Sequence, residues 1–167
     1  MEFTRGTINI GLKETIRVQA AASGLFNDRH GEDLEDIDLL KYASAAGKQE
    51  WFAWLLDNCS FYNTRGNIKK DLRGGFDESL VLAIVNNHIE PARKLFVLGA
   101  RAKYMINSLL YRSIMKGRHE MAELLFANGA TIKQQYHLAE CMSAADDRMK
   151  KIIQQGILDT ISRRFRT

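Results

Sequence analysis

A short pattern recurs four times along this chain and constrains its fold more than any other feature. In the clearest copy, residues 117–130, a glycine is followed three positions on by an acid and then by apolar residues that end at Gly-Ala. A second copy, residues 87–100, lies 30 residues earlier, and weaker copies begin at Gly47 and Ala144. A fixed period near 30 predicts stacked helical hairpins, an architecture used chiefly to bind other macromolecules.

Aligning the four copies assigns a role to several positions. One position holds residues that tolerate left-handed backbone between two helices: Gly47, Asn87 and Gly117. A position in the first helix holds small residues that let adjacent helices approach: Ala43, Ala83 and Ser113. An acid recurs near the start of the second helix, where it suits the helix dipole, as Glu50, Glu90, Glu120 and Asp147. Two apolar positions form the seam between repeats: Leu55 and Leu56, Leu95 and Phe96, Leu125 and Phe126, Ile152 and Ile153.

Residues 87–100 and 117–130 resemble the second half of the ankyrin repeat, Gly-His-x-Glu-x-x-x-Leu-Leu-Leu-x-x-Gly-Ala. The match includes His88 and Glu90, and it extends more weakly over about 37–157. The Thr-Pro that the family has at the start of the first helix is absent, and Arg112 replaces an apolar residue. The resemblance implies an all-α, ankyrin-like solenoid of four to five helical hairpins that binds protein partners without a cofactor.

The copies divide the chain into caps, repeats and one insertion. We expect an N-terminal helical cap over 1–36 and a C-terminal cap with a basic tail over 158–167, because the ends of an array must be covered. The step from Gly47 to Asn87 is 40 residues, which implies an insertion of about ten. The repeats are expected at 37–60, 77–100, 107–130 and 137–157, with the insertion at 61–76.

Ankyrin arrays bind partners through a concave face made of loop tips and the exposed side of each first helix. By resemblance, the partner-binding positions here are Asp77, Val85, Asn86, Tyr104, Met105, Asn107, Met115 and Lys116, with Arg118 as a further rim charge. Tyrosine and methionine suit the core of an interface. The alternative is that Tyr104 and Met105 pack on the next repeat. Phe61 and Tyr62 begin the insertion and are predicted to form a protruding aromatic anchor.

Charge leaves a second class of function open. The net charge is +4, and four basic residues crowd the insertion: Arg65, Lys69, Lys70 and Arg73. With the basic tail, these residues make nucleic-acid binding an alternative, and such binding would weaken steeply with salt. A third hypothesis is a self-assembling structural subunit that pairs through the ends of the array.

Enzymatic, metal and membrane functions are not predicted. None of the four histidines stands at ligand spacing from another histidine, cysteine or acid, and there is no Gly-Lys-Ser/Thr phosphate loop. No run of about 18 apolar residues predicts a membrane helix, and no secretory signal is evident. Two distant cysteines, Cys59 and Cys141, favour a reduced, cytoplasmic protein. The sequence therefore predicts a non-catalytic protein-binding module, such as a phage or bacterial inhibitor or effector.

Overall fold

The computed structural model describes residues 5–26, 33–102, 104–132 and 135–165, and in this part of the chain it is all-α. Residues 1–4 and 27–32 of the predicted N-terminal cap and residues 166–167 of the predicted basic tail lie outside the described residues. An isolated antiparallel bridge joins Tyr62 and Ile68. The helices are α1 (Arg5–Ala22), α2 (Asp36–Ala46), α3 (Gln49–Asn58), α4 (Arg73–Val85), α5 (Ile89–Val97), α6 (Ile106–Met115), α7 (His119–Ala127), α8 (Gln135–Ala144) and α9 (Asp147–Arg164), with a 3-10 turn (Lys70–Leu72) before α4.

The helices form two rows. Short turns join α2 to α3, α4 to α5 and α6 to α7, and the two helices of each pair contact each other. In the first row α2 contacts α4, α4 contacts α6 and α6 contacts α8; in the second, α3 contacts α5, α5 contacts α7 and α7 contacts α9. Helix α1 packs on α2 at the beginning of the array. Each hairpin therefore rests on the one before it.

The predicted left-handed turns are confirmed. The φ angles at Gly47, Asn87 and Gly117 are 65°, 63° and 63°, and Asn87 is the one non-glycine residue with positive φ in the described ranges. After each turn a backbone amide bonds back to a carbonyl five residues earlier. The pairs are Lys48 to Ala43 (3.1 Å), His88 to Ala83 (2.8 Å) and Arg118 to Ser113 (2.9 Å). Such a bond satisfies a carbonyl that the helix end leaves without a partner.

The core lies between the rows, at the positions that the repeats share. The small residues Ala43, Ala83 and Ser113 are buried, as predicted for close helix approach. The seam residues Leu55, Leu95 and Leu125 are fully buried. Three successive hairpins therefore use the same side-chain positions to stack.

The last repeat has a different register from the predicted one. The buried residues of α9 are Met149 and Ile153, which follow Met121 and Leu125 by 28 residues, one more than the predicted alignment gives. The side chain of Asp146 accepts a hydrogen bond from the amide of Met149 at 2.7 Å and so caps the helix. Ile153, and not Ile152, therefore takes the fully buried position of Leu125, while Ile152 packs partly buried against the core. Asp147 does not match Glu120.

Two predicted boundaries also differ from the structure. Helix α9 runs without a break past residue 157, so Gly156 is a helical residue. A Cβ at this position would collide with the ring of Phe126. This glycine serves close packing of α9 on α7 rather than a turn. The apolar residues of the predicted C-terminal cap, Leu158, Ile161 and Phe165, are exposed. The insertion ends earlier than predicted, since α4 begins at Arg73.

Gly156→Ala tests the packing of α9 on α7. The added methyl group has no space beside Phe126, so we expect the free energy of unfolding to fall by about 1–3 kcal/mol, measured by urea denaturation. Gly11→Ala in α1 is the matched control, because a Cβ there meets nothing within 4 Å. It should stabilise the chain by about 0.5–1 kcal/mol. Equal stability of the two variants would contradict the packing.

Candidate functional site

An apolar groove of about 460 Å³ lies between α4 and the loop that precedes α6. Its residues are Asp77, Glu78, Val81, Leu82, Arg101, Ala102, Tyr104 and Met105. The side chain of Tyr104 is 96% exposed and that of Met105 is 47% exposed. The alternative that Tyr104 packs on the next repeat is therefore wrong. This groove brings together three of the predicted partner-binding residues, Asp77, Tyr104 and Met105.

A hydrogen bond links the loop beside the apolar groove to α4, and an equivalent bond occurs one repeat later. An oxygen of the Asp77 carboxylate accepts the backbone N–H of Arg101 at 2.5 Å. One repeat later, Asn107 accepts the backbone N–H of Thr131 at 2.8 Å in the same way. Asp77 and Asn107 were predicted to contact a partner, but their side chains hold successive loops in place. The bond at Asp77 in turn positions the loop that presents Tyr104.

Arg118 has an internal role in place of the predicted rim charge. Its guanidinium donates to the carbonyl oxygens of Val85 at 2.7 Å and Ile84 at 3.3 Å, at the end of α4. The equivalent residue of the preceding repeat, His88, bonds through Nε2 to the carbonyl oxygen of Ala45 at 3.0 Å. Each side chain thus caps the first helix of the repeat before its own, where a cation also suits the helix dipole.

The other predicted concave residues lie at the helix ends, away from the apolar groove. Met115, Lys116 and Asn86 are exposed and Val85 is half-buried. The amide group of Asn86 donates to the carbonyl of Leu82 at 3.0 Å. None of these four residues lines the groove.

The predicted aromatic anchor of the insertion is wrong for one of its two residues. Phe61 is 1% exposed, and its ring meets that of Phe76 edge-on at 5.5 Å between centroids. It belongs to the core because α4 begins early enough to bring Phe76 under the insertion. Tyr62 is half-buried and stands in the wall of a second hollow.

This second hollow, about 490 Å³ in volume, lies between the insertion, the start of α4 and the end of α5. We call it the basic hollow because Arg73 and Arg101 line it. Of the four predicted nucleic-acid contacts, only Arg73 belongs to it. Lys69 donates from its Nζ to Ser60 Oγ at 3.2 Å, and Arg65 and Lys70 are exposed outside both hollows. Three of the four basic residues of the insertion therefore lie outside both the apolar groove and the basic hollow.

Sequence reasoning missed several residues that line the apolar groove. Glu78, Val81 and Leu82 share the face of α4 that carries Asp77, at a spacing of three to four residues, which is a readable helical signal. Arg101 and Ala102 follow Gly99 in a loop, where no periodic pattern marks them. The groove is therefore lined both by residues of α4 that a helical pattern can reveal and by loop residues that it cannot.

Neither cysteine is arranged for nucleophilic chemistry. Both thiols are free and buried. Burial, and after it the negative charge of Asp36, raises the pKa of Cys59 to about 12, and burial followed by the charge of Glu140 raises the pKa of Cys141. Within the described ranges, no three His, Cys, Asp or Glu side chains are placed to hold a metal ion.

No protein-family model, curated protein or solved structure matches this chain. None of the described helices combines the length and the apolar character needed to cross a membrane. The apolar groove and the basic hollow are therefore the features from which a function is inferred.

Loss of the Asp77 carboxylate should loosen the loop that carries Tyr104. In Asp77→Ala the amide of Arg101 has no acceptor, so we expect its hydrogen exchange to be at least about tenfold faster, measured by NMR. Asp77→Asn keeps an acceptor oxygen and should stay close to the wild type. Asn107→Ala is the matched control, because it should speed exchange at Thr131 alone. Unchanged exchange at Arg101 in Asp77→Ala would show that the bond does not hold the loop.

Both thiols should resist modification in the folded chain. We expect Ellman's reagent at pH 8 to react with Cys59 and Cys141 only as fast as the protein opens, because protonated, buried thiols are poor nucleophiles. Reaction should be immediate in concentrated guanidinium. Rapid labelling of either cysteine under native conditions would contradict the burial.

Proposed function

We propose that this chain is a non-catalytic protein-binding module, an ankyrin-like solenoid that holds its partner in the apolar groove. The observation that carries the proposal is the exposed pair Tyr104 and Met105, presented on a loop that Asp77 fastens to α4. An exposed tyrosine beside an apolar groove is a strong candidate for an interface anchor. The hydrogen bond from Asp77 restrains the backbone at Arg101 before a partner binds, and such restraint lowers the conformational entropy lost on binding.

The arrangement of the hairpins supports the ankyrin-like part of the proposal. Three successive hairpins turn through the same left-handed backbone, and two successive loops use the same side-chain-to-amide bond. The turns and the bonds occur at equivalent positions of successive copies of the sequence pattern. The repeated geometry presents equivalent loops along one side of the array.

The proposed mechanism is occupation of a partner's surface, which would block or tether that partner, as an inhibitor or effector does. Such an activity needs complementary shape and charge and no reacting group. The two buried, unpaired cysteines support a reducing, cytoplasmic setting.

A second candidate is self-assembly through the end of the array. Leu158 and Ile161 lie on α9 and Phe165 directly follows it, and the three side chains are 57%, 45% and 86% exposed. An apolar strip of this kind suits contact with another apolar surface. Size-exclusion chromatography with light scattering would detect such an oligomer, and Leu158→Glu should dissociate it.

Affinity capture tests the apolar groove. Tagged chain is incubated with nuclease-treated lysate of the native host and washed at roughly 0.1 M and roughly 0.5 M salt, a range over which phosphate-driven binding collapses. We expect one partner protein to remain at both concentrations. Tyr104→Ala with Met105→Ala should reduce its recovery by at least about tenfold, because anchor residues carry most of the binding energy.

The matched control removes two exposed apolar side chains outside the groove, by Val18→Ala with Leu25→Ala. This double variant should bind as the wild type does. A partner that the Tyr104 and Met105 variant retains would rule out the groove. Recovery of nucleic acid alone, before nuclease treatment and only at low salt, would favour the nucleic-acid alternative.

A further inference from the structure

The apolar groove and the basic hollow meet at a common wall. Asp77 and Arg101 line both of them. Because the two spaces share these side chains, one extended segment of a partner can occupy both at once. The two spaces nevertheless differ in chemistry: Val81, Leu82 and Met105 line only the groove, and Arg73 lines only the hollow.

The charges around this shared wall are unequal. Arg73 and Arg101 are exposed, and among the described residues neither takes part in an ion pair. Among the described residues that line the basic hollow, Asp77 is the one acid, and its carboxylate already accepts the amide of Arg101. In the groove, Glu78 is paired with Lys41 at 2.7 Å. Two arginines thus line the hollow together with one acid that already has a partner.

We propose that the segment which binds here is an acidic peptide with an apolar anchor. The anchor side chain enters the apolar groove, and neighbouring carboxylates bond to Arg73 and Arg101. Guanidinium groups suit this role because they bind carboxylates through two parallel hydrogen bonds. This inference rests on the proposed function and gives the chemistry of its partner.

A peptide fits these surroundings better than a nucleic acid does. A phosphate backbone needs a continuous track of cations, whereas Arg65, Lys69 and Lys70 lie outside both hollows. The groove beside the two arginines is walled by aliphatic and methionine side chains, which suit an aliphatic or aromatic side chain of a peptide.

A random linear peptide library displayed on phage tests the proposal against the full chain. We expect selected peptides to be enriched in Asp and Glu next to one apolar residue. Arg73→Glu with Arg101→Glu should weaken binding of a selected, fluorescein-labelled peptide by at least about tenfold in fluorescence polarisation. The single variant Arg101→Ala should weaken it by a smaller factor, and circular dichroism checks that each variant folds.

The control has the same change of net charge at exposed sites elsewhere, Arg93→Glu with Arg148→Glu. It should select and bind acidic peptides as the wild type does. Equal weakening by both charge-reversed variants would overturn the proposal, because the effect would then come from net charge and not from the hollow.

Two further outcomes would overturn the proposal in different ways. Neutral or basic peptides whose binding is lost in Tyr104→Ala with Met105→Ala would remove the acidic preference and leave the proposed groove intact. Absence of any selected peptide would count against both the acidic-peptide proposal and the proposed peptide-binding role of the groove. A single-stranded oligonucleotide bound through Arg73 and Arg101, with no acidic peptide selected, would assign the hollow to nucleic acid.

Discussion

The rest of the structure depends on one backbone conformation, the left-handed turn between the two helices of a hairpin. It occurs at Gly47, Asn87 and Gly117 with nearly the same φ. The amide that follows each turn bonds to the carbonyl of a small buried residue, Ala43, Ala83 or Ser113. Each of these residues therefore has two roles. Its carbonyl accepts the bond that ends the helix, and its small side chain lets the adjacent helix pack closely.

Local rules of this kind can be predicted from a sequence, because glycine and asparagine are visible wherever left-handed backbone is needed. The last repeat shows where such rules fail. Ala144 was aligned with the turn glycines, but the register of α9 is set by the cap at Asp146 and by burial of Met149. Neither the cap bond nor the burial appears in a pattern of residue types. Gly156 stands where two other copies have the glycine of their closing Gly-Ala, but it is a helical residue whose small size makes room for the ring of Phe126.

The candidate site was predicted only in part, because hydrogen bonds between repeats leave no local signature. The bond from Asp77 joins it to a residue 24 positions away, and that from Arg118 reaches back 33 positions. The resemblance to ankyrin repeats places Asp77 at a concave, partner-binding position, and Arg118 was predicted to be a rim charge beside it. Both side chains bond to backbone groups instead, Asp77 to the amide of Arg101 and Arg118 to the carbonyls of Val85 and Ile84. Tyr104 was predicted by the same resemblance, and its side chain is 96% exposed.

The insertion gives one repeat a chemistry that its neighbours lack. Asp77 and Asn107 hold equivalent loops, so the regular part of the array offers similar surfaces at successive hairpins. Only beside Asp77 does the insertion add a further wall, formed by Tyr62 and Ile68, whose backbones pair in an isolated bridge. The hairpins stack through buried positions that they share, such as Leu55, Leu95 and Leu125. The wall that the insertion adds is the feature that distinguishes one repeat from the next. In the proposed function, exposed residues of the insertion set the choice of partner, while the buried seam keeps the hairpins stacked.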